Sequence, residues 1–221
     1  MANLASVALT VAKMVGRADA TGATILDLED EIKAEIGNAI KDYNRKPLHL
    51  LETRAGTLTT VAAQTWYTEV DTATTISVNS ILDIHYMREN PGASGLNEPM
   101  REIAYNRFEQ LQEGSTSSGQ PEYFTRYAGS IGIWPTPGAV HTLYWSGLVK
   151  PIVPSADGDE SVWFDEANEL IECAAARRVC SKWLRDPERA AIYTAEEQNI
   201  YRQLRGEYVS KSTTGRIKPH E

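Results

Sequence analysis

Between Gln120 and Val153 the chain has few choices, because glycines and prolines cut it into runs too short for stable helices. Glu122 to Tyr127 reads as one strand, Ile131 to Trp134 as a second and Ala139 to Ser146 as a third. Ala128-Gly129 makes the first turn, with Gly129 free to take a positive φ. Pro135 and Pro137 cannot donate to a ladder, so the second strand must stop at Trp134. Along the third strand His141, Leu143 and Trp145 share one side, and Val140, Thr142 and Tyr144 the other. That period of two belongs to a sheet with one better-buried face. The expected product is a compact antiparallel unit.

Helical periodicity brackets this unit on both sides. Leu4, Val7, Ala8, Val11, Met14 and Val15 recur at three and four residues, giving an amphipathic helix that ends near Gly16. Ile25, Leu28, Ile32, Ile36, Ala39, Ile40 and Tyr43 form the clearest stripe in the chain, with Asp27, Glu29, Asp30, Glu31, Lys33 and Glu35 off it on a solvated face. Thr24 with Asp27 resembles a capping box at the start of this helix, and Pro47 marks its end. A further helix carries Phe164, Ala167, Leu170, Ile171, Ala174, Ala175, Val179, Trp183 and Leu184. Its apolar residues cover more than half the circumference, so it is expected at the buried centre of the helical part. Asp186 as N-cap and Pro187 at the first position then start a last helix, with Ala190, Tyr193, Ile200, Tyr201, Leu204 and Tyr208 inward.

Residues 57 to 86 are rich in Thr, Val and Ile, and Leu58 to Val61, Thr65 to Val70 and Ile76 to Ile84 read as strands that join the 120–153 unit. Met100 to Tyr105 reads as another strand, and Asn106 as the cap of a short helix bearing Phe108 and Leu111. The fold class is therefore α+β: a helical bundle from N- and C-terminal helices, residues 1–56 and 160–208, with an inserted small antiparallel β-domain, residues 57–159. Residues 209–221 are polar and read as a tail, flexible until docked.

Few residues suggest reaction chemistry. The only cysteines, Cys173 and Cys180, stand seven apart on one helix, roughly 10 Å between Cα atoms and too far for a bridge. They read as small buried hydrophobes. Four scattered histidines give no metal signature, and His141 reads as a core histidine. No Gly-rich loop has phosphate-binding spacing, so no catalytic residue, metal or cofactor is assigned. Glu98, Glu102 and Glu109 stand near loops and are the carboxylates a glycan hydrolase would use, an alternative kept open. A net charge of −8 argues against gripping nucleic acid by bulk charge. Residues 4 to 15 lack the basic flank of a leader and are too short to span a membrane, so the segment is read as retained and cytosolic at synthesis. Trp66, Tyr67, Tyr123, Phe124, Tyr127, Trp134, Tyr144 and Trp145 could form a stacking platform, but only Arg126 and Lys150 accompany them, which favours packing. Arg177-Arg178 inside the apolar helix needs carboxylates, from Glu169 and Glu172 or from a neighbouring subunit.

Gly119, Pro121, Tyr123 and Phe124, then Ile-Trp-Pro-Thr-Pro, a strand ending Tyr-Trp, and Lys150-Pro151 resemble the β-domain of the head-tail connector (adaptor) proteins of tailed bacteriophages. The motif is confined to about residues 119 to 151, while the order of elements is similar over most of the chain. The resemblance implies a non-enzymatic virion protein of the neck, present in the host cytoplasm during assembly. It implies a ring, twelve copies in similar proteins, that joins the portal protein to the tail or tail-completion proteins and lets DNA pass without specific binding. It places portal contacts on the C-terminal segment, here Lys211, Arg216, Ile217 and Lys218, while the need of Arg177 and Arg178 for partners makes them candidates for the subunit interface. A tail-completion or stopper protein of the same neck is the alternative.

Overall fold

The computed structural model describes residues 2–19, 21–68, 78–89, 99–114 and 117–213, with side chains to residue 209. The chain is mixed α+β and divides into two compact units, Met1–Leu51 with Pro151–Glu221, and Glu52–Lys150. The divisions fall at 51/52 and 150/151, where the sequence pattern placed them at 56/57 and 159/160.

The first unit begins with α1, Leu4–Met14, whose Asn3 and Ser6 form a reciprocal capping box. Its next free N–H groups, on Leu4 and Ala5, donate to the carbonyls of Asp159 and Asp157. Gly16, at φ 73°, ends it. Helix α2 spans Glu29–Tyr43 and begins without a side-chain cap, from Leu28 at φ 61°. The expected Thr24–Asp27 box does not form. Thr24 is held instead in a small turn, its carbonyl bound by Asp19 N–H and its own N–H by the Asp19 carboxylate. Ile32, Ile36, Ala39, Ile40 and Tyr43 are buried as their spacing requires.

Among its described residues the second unit holds nine strands: β1 Glu52–Thr59, β2 Trp66–Tyr67, β3 Ile81–Glu89, β4 Arg101–Glu102, β5 Ser118–Gly119, β6 Tyr123–Tyr127, β7 Ser130–Trp134, β8 Thr136–Pro137 and β9 Thr142–Val149. Helix α3, Tyr105–Gly114, precedes β5. The sheet orders are β1-β9-β3, β2-β7-β6-β4 and β5-β8. The long pairings are antiparallel, as expected, while β4 with β6 and β5 with β8 are short parallel pairs. The β6–β7 hairpin turns on Ala128 and Gly129, both at positive φ, the geometry that matches strand twist. On β9, Leu143 and Trp145 are buried and Tyr144 is exposed, the alternation read from sequence. Leu58, Tyr67, Ile84, Met87, Phe124, Ile131 and Ile133 complete this core.

Two close approaches explain where β9 sits. Gly56 faces Trp145 across the β1–β9 pair, and a Cβ there would stand 2.1 Å from the indole. Gly147 meets the Asp83 carbonyl oxygen, where a Cβ would come within 1.9 Å. The strand limits shift accordingly: β1 starts at Glu52 instead of Leu58, and β9 runs Thr142–Val149 instead of Ala139–Ser146. Of the third early strand, residues 76 and 77 lie outside the described residues, and Val78–Ser80 is a 3-10 turn leading into β3.

The chain re-enters the first unit and forms α4, Val162–Glu166, capped by Ser161, then α5, Asn168–Val179. A five-residue π-helix, Cys180–Leu184, follows and stops at Arg185, φ 53°. Trp183, expected in the core, is 48% exposed. The i to i+5 bonds of the π-turn widen the helix and rotate residues after Cys180 off the stripe that Ala175 and Val179 continue. Helix α6 then runs Pro187–Thr213, four residues beyond the limit at which the apolar pattern ends at Val209. Asp186 caps it as read, its carboxylate accepting from Arg189 N–H at 3.0 Å.

Candidate functional site

The helices of the first unit meet at charges as well as at apolar faces. Glu35 of α2 is 4% exposed although the sequence places it on the solvated side. It lies at the margin of the Ile32–Ile36–Ala39 stripe, and two cations reach it there. Lys182 Nζ donates at 2.8 Å and Arg178 Nη1 at 3.4 Å, with Asn38 Nδ2 also at 3.4 Å. Burial alone would raise the Glu35 pKa, but hydrogen bonds from Lys182 and Asn38 and the charges of Lys182 and Arg178 hold it below the usual carboxylate range. Arg178 also binds Asp42, one turn past Asn38.

On the other side of α5, Arg177 Nε donates to Glu197 of α6 at 2.5 Å. The same carboxylate accepts from the Tyr43 hydroxyl at 2.6 Å, so one residue of α6 binds both α5 and α2. Burial and this bond push the Tyr43 hydroxyl well above its ordinary pKa. The Lys46 ammonium sits over the rings of Tyr43 and Tyr201, 4.1 and 4.4 Å from their centroids.

Arg177 and Arg178 therefore pair neither with Glu169 nor with Glu172. Each is met by a carboxylate from another helix of the same chain, so the unpaired charge that made them interface candidates is supplied internally. Glu35 and Glu197 escaped the sequence reading. The available signal was the arginine pair itself: two cations on an apolar helix require two carboxylates at the edges of the neighbouring stripes.

Helix α6 is the other feature set apart by its surroundings. Ala190, Tyr193, Ile200, Tyr201, Leu204 and Tyr208 are half-buried, and no residue from Pro187 to Val209 is fully buried. From Arg205 to Val209 only Tyr208 is even half-covered, and a Cβ on Gly206 would meet nothing within 4 Å. Lys211 lies on this helix with its side chain outside the described residues, and Arg216, Ile217 and Lys218 lie outside them altogether.

The carboxylates offered for hydrolysis have these surroundings. Glu102 approaches the Arg126 guanidinium at 3.5 Å, Glu109 raises the pKa of Tyr105 through a hydrogen bond, and Glu98 lies outside the described residues. His141 is held by Glu89 Oε1 at 2.5 Å, and Gln120 Nε2 binds the other Glu89 oxygen at 2.7 Å. Tyr67, Phe124, Trp134 and Trp145 are buried, which makes them packing and not a stacking platform. Tyr127 is half-exposed and stacks on Tyr105 at 3.8 Å. Among the described residues no group of three or more His, Cys, Asp or Glu could hold a metal, and no helix is long and apolar enough to cross a membrane. What the arrangement does chemically is hold helices together and present a long polar one. Neither a protein-family model nor a curated protein matches the chain.

Proposed function

We propose that this protein is a structural subunit of a tailed-bacteriophage neck, a head-tail adaptor that assembles as a ring between the portal and the tail and turns nothing over. The observation that carries the reading is the segment from Gly119 to Pro151. Its Trp-Pro-Thr-Pro turn and Tyr-Trp return strand lie in a β-rich unit whose chain leaves the helical unit after Leu51 and returns at Pro151. A helical bundle with an inserted β-domain is the architecture the resemblance implies.

In this reading α6 and the residues after it are the arm that reaches the portal. An exposed C-terminal stretch of α6, leading to Lys211, Arg216, Ile217 and Lys218, suits such an arm. Ring repetition, twelvefold in the similar proteins, turns weak single contacts into a durable joint. A net charge of −8 suits a channel through which DNA slides without being held. The virion neck is the corresponding location, with tail or tail-completion proteins as the second partner.

The test is the solution mass of the purified chain by light scattering, alone and mixed with a portal ring. A preformed ring, or a 24.5 kDa monomer that becomes a ring on the portal, is expected. A monomer indifferent to the portal would overturn the adaptor reading and leave the stopper and hydrolase ones.

A further inference from the structure

Helix α6 covers the two cysteines of the chain without being built into the core. Cys173 is 6% exposed and Cys180 fully buried. Cys173 Sγ lies 3.7 Å from Glu196 Oε2, and the Asp186 N–H that begins the α6 cap binds the Cys180 carbonyl. Glu196 of α6 thus stands against the Cys173 thiol, and the residue that precedes α6 against the Cys180 backbone. Burial pushes the Cys173 thiol up to about 12 and raises Cys180 as well, so in the closed molecule neither is a ready thiolate.

The attachment of this cover differs from that of α2 and α5. Those helices interlock through buried Ile32, Ile36, Ile40, Leu170, Ile171 and Val179. Helix α6 has no fully buried residue to Val209, and beside the half-buried Ala190, Ile200 and Leu204 it is held by polar and aromatic contacts. These are the Glu197 carboxylate on Arg177 and Tyr43, the Tyr201 ring against Lys46 and Tyr43, and Tyr193 and Arg189 on the Met14 and Val15 carbonyls. At its start stands a junction suited to bending, a π-helix followed by Arg185 in the left-handed region.

We propose that α6 is a releasable cover: it lifts about the Leu184–Asp186 junction as a unit, with Glu197 as its latch, while the rest of the helical unit stays folded. The opening separates only half-buried side chains of α6, and the hydrogen bonds and ion pairs that hold α6 are the interactions water replaces most readily. Opening uncovers Cys173 and Cys180, frees Arg177 and the Tyr43 hydroxyl, and leaves α6 able to take another partner.

The cysteines make the motion measurable. Reaction of the full chain with a chromogenic disulfide reagent is followed at mildly alkaline pH across low urea concentrations, for the wild type, Glu197→Gln and Tyr43→Phe. The first substitution removes the latch charge and keeps the shape, and the second removes only the hydroxyl donor. Single Cys173→Ser and Cys180→Ser forms assign the signal. Labelling is expected to be faster by about tenfold in Glu197→Gln and several-fold in Tyr43→Phe. Its dependence on urea should be much shallower than that of global unfolding followed by circular dichroism. Labelling that occurs only along the global unfolding curve would overturn the proposal, as would unchanged rates in both variants.

Discussion

Replacing Arg178 by methionine isolates the buried carboxylate of Glu35. Methionine retains much of the apolar length of the arginine, so the change is chiefly one of charge. Glu35 loses the guanidinium at 3.4 Å and keeps the Lys182 ammonium at 2.8 Å. Breaking a buried pair by removing one partner costs about 3–5 kcal/mol when the remaining charge is left alone. With a second cation still in place the cost falls to about 2 kcal/mol. The Asp42 arm, whose carboxylate is half-exposed, adds at most about 1 kcal/mol. A loss of about 2–3 kcal/mol is therefore expected in urea unfolding followed by far-UV circular dichroism. The pH dependence carries the sign. Glu35 titrates below its unfolded value, so its contribution is present above the ordinary glutamate pKa and is lost as pH falls through the folded one. Removing Arg178 raises the folded pKa toward the unfolded one and shrinks that contribution. Adding Glu35→Met to the variant should restore stability, since no charge then remains buried at the site. A single-variant loss below about 0.5 kcal/mol, or a double variant no more stable than the single, would refute the reasoning.

Other substitutions test other parts of the structure. Glu172 is 9% exposed with Asn168 as its hydrogen-bonding partner, and burial raises its pKa, so its contribution is full below the unfolded value and lost as pH rises through the folded one. Glu172→Gln should stabilise the protein by about 1 kcal/mol at neutral pH, because the new amide can also reach the unpartnered Asn168 Oδ1; a destabilisation in the melting curve would count against it. Gly147→Ala should cost at least about 3 kcal/mol or prevent folding, since its Cβ meets a backbone oxygen that only strand separation can move. Trp183→Ala should cost about 1 kcal/mol or less, as expected of a half-exposed ring, and a loss of several kcal/mol would return that residue to the core. Ending the chain after Thr213 should leave the melting temperature unchanged and abolish co-sedimentation with a portal ring; retained binding would remove Arg216, Ile217 and Lys218 from the contact.

Elements whose signal is local were legible in the sequence. The β6–β7 hairpin follows from Gly129 and the Pro135–Pro137 stop, and the Leu143–Trp145 side of β9 from its period of two. Helix α1 and the Asp186 cap of α6 follow in the same way. Signals that depend on a neighbour were not. Thr24 looks like a helix cap until its backbone is seen pairing with Asp19. The first half of β1 falls within the stretch assigned to the helical part, because residues 52 to 55 lack an alternating apolar pattern, and its register is set by Gly56 under a tryptophan 89 positions away. Trp183 belongs to a regular α-helical stripe only if the helix stays α-helical beyond Val179. Of the four residues that the resemblance offers for portal contact, three lie outside the described residues and the fourth carries no described side chain.

The charge network shows why single-helix periodicity was insufficient and how the helical unit must come together. Glu35 and Arg178 are 143 positions apart, Tyr43 and Glu197 are 154, and Met14 and Tyr193 are 179. Each pair spans the whole of Glu52–Lys150, so the first unit cannot close until that stretch has been made and its ends brought together. Apolar faces can settle such long-range contacts approximately, because burial is non-directional, and this is how α2 and α5 meet. Hydrogen-bonded charges require defined geometry, and α6, which has no fully buried residue to Val209, depends on them more than α2 or α5 does. The last helix of the chain is therefore the element held by the contacts that most require the others to be in place already. It is expected to dock last and release first, which is the behaviour that an arm reserved for a partner needs.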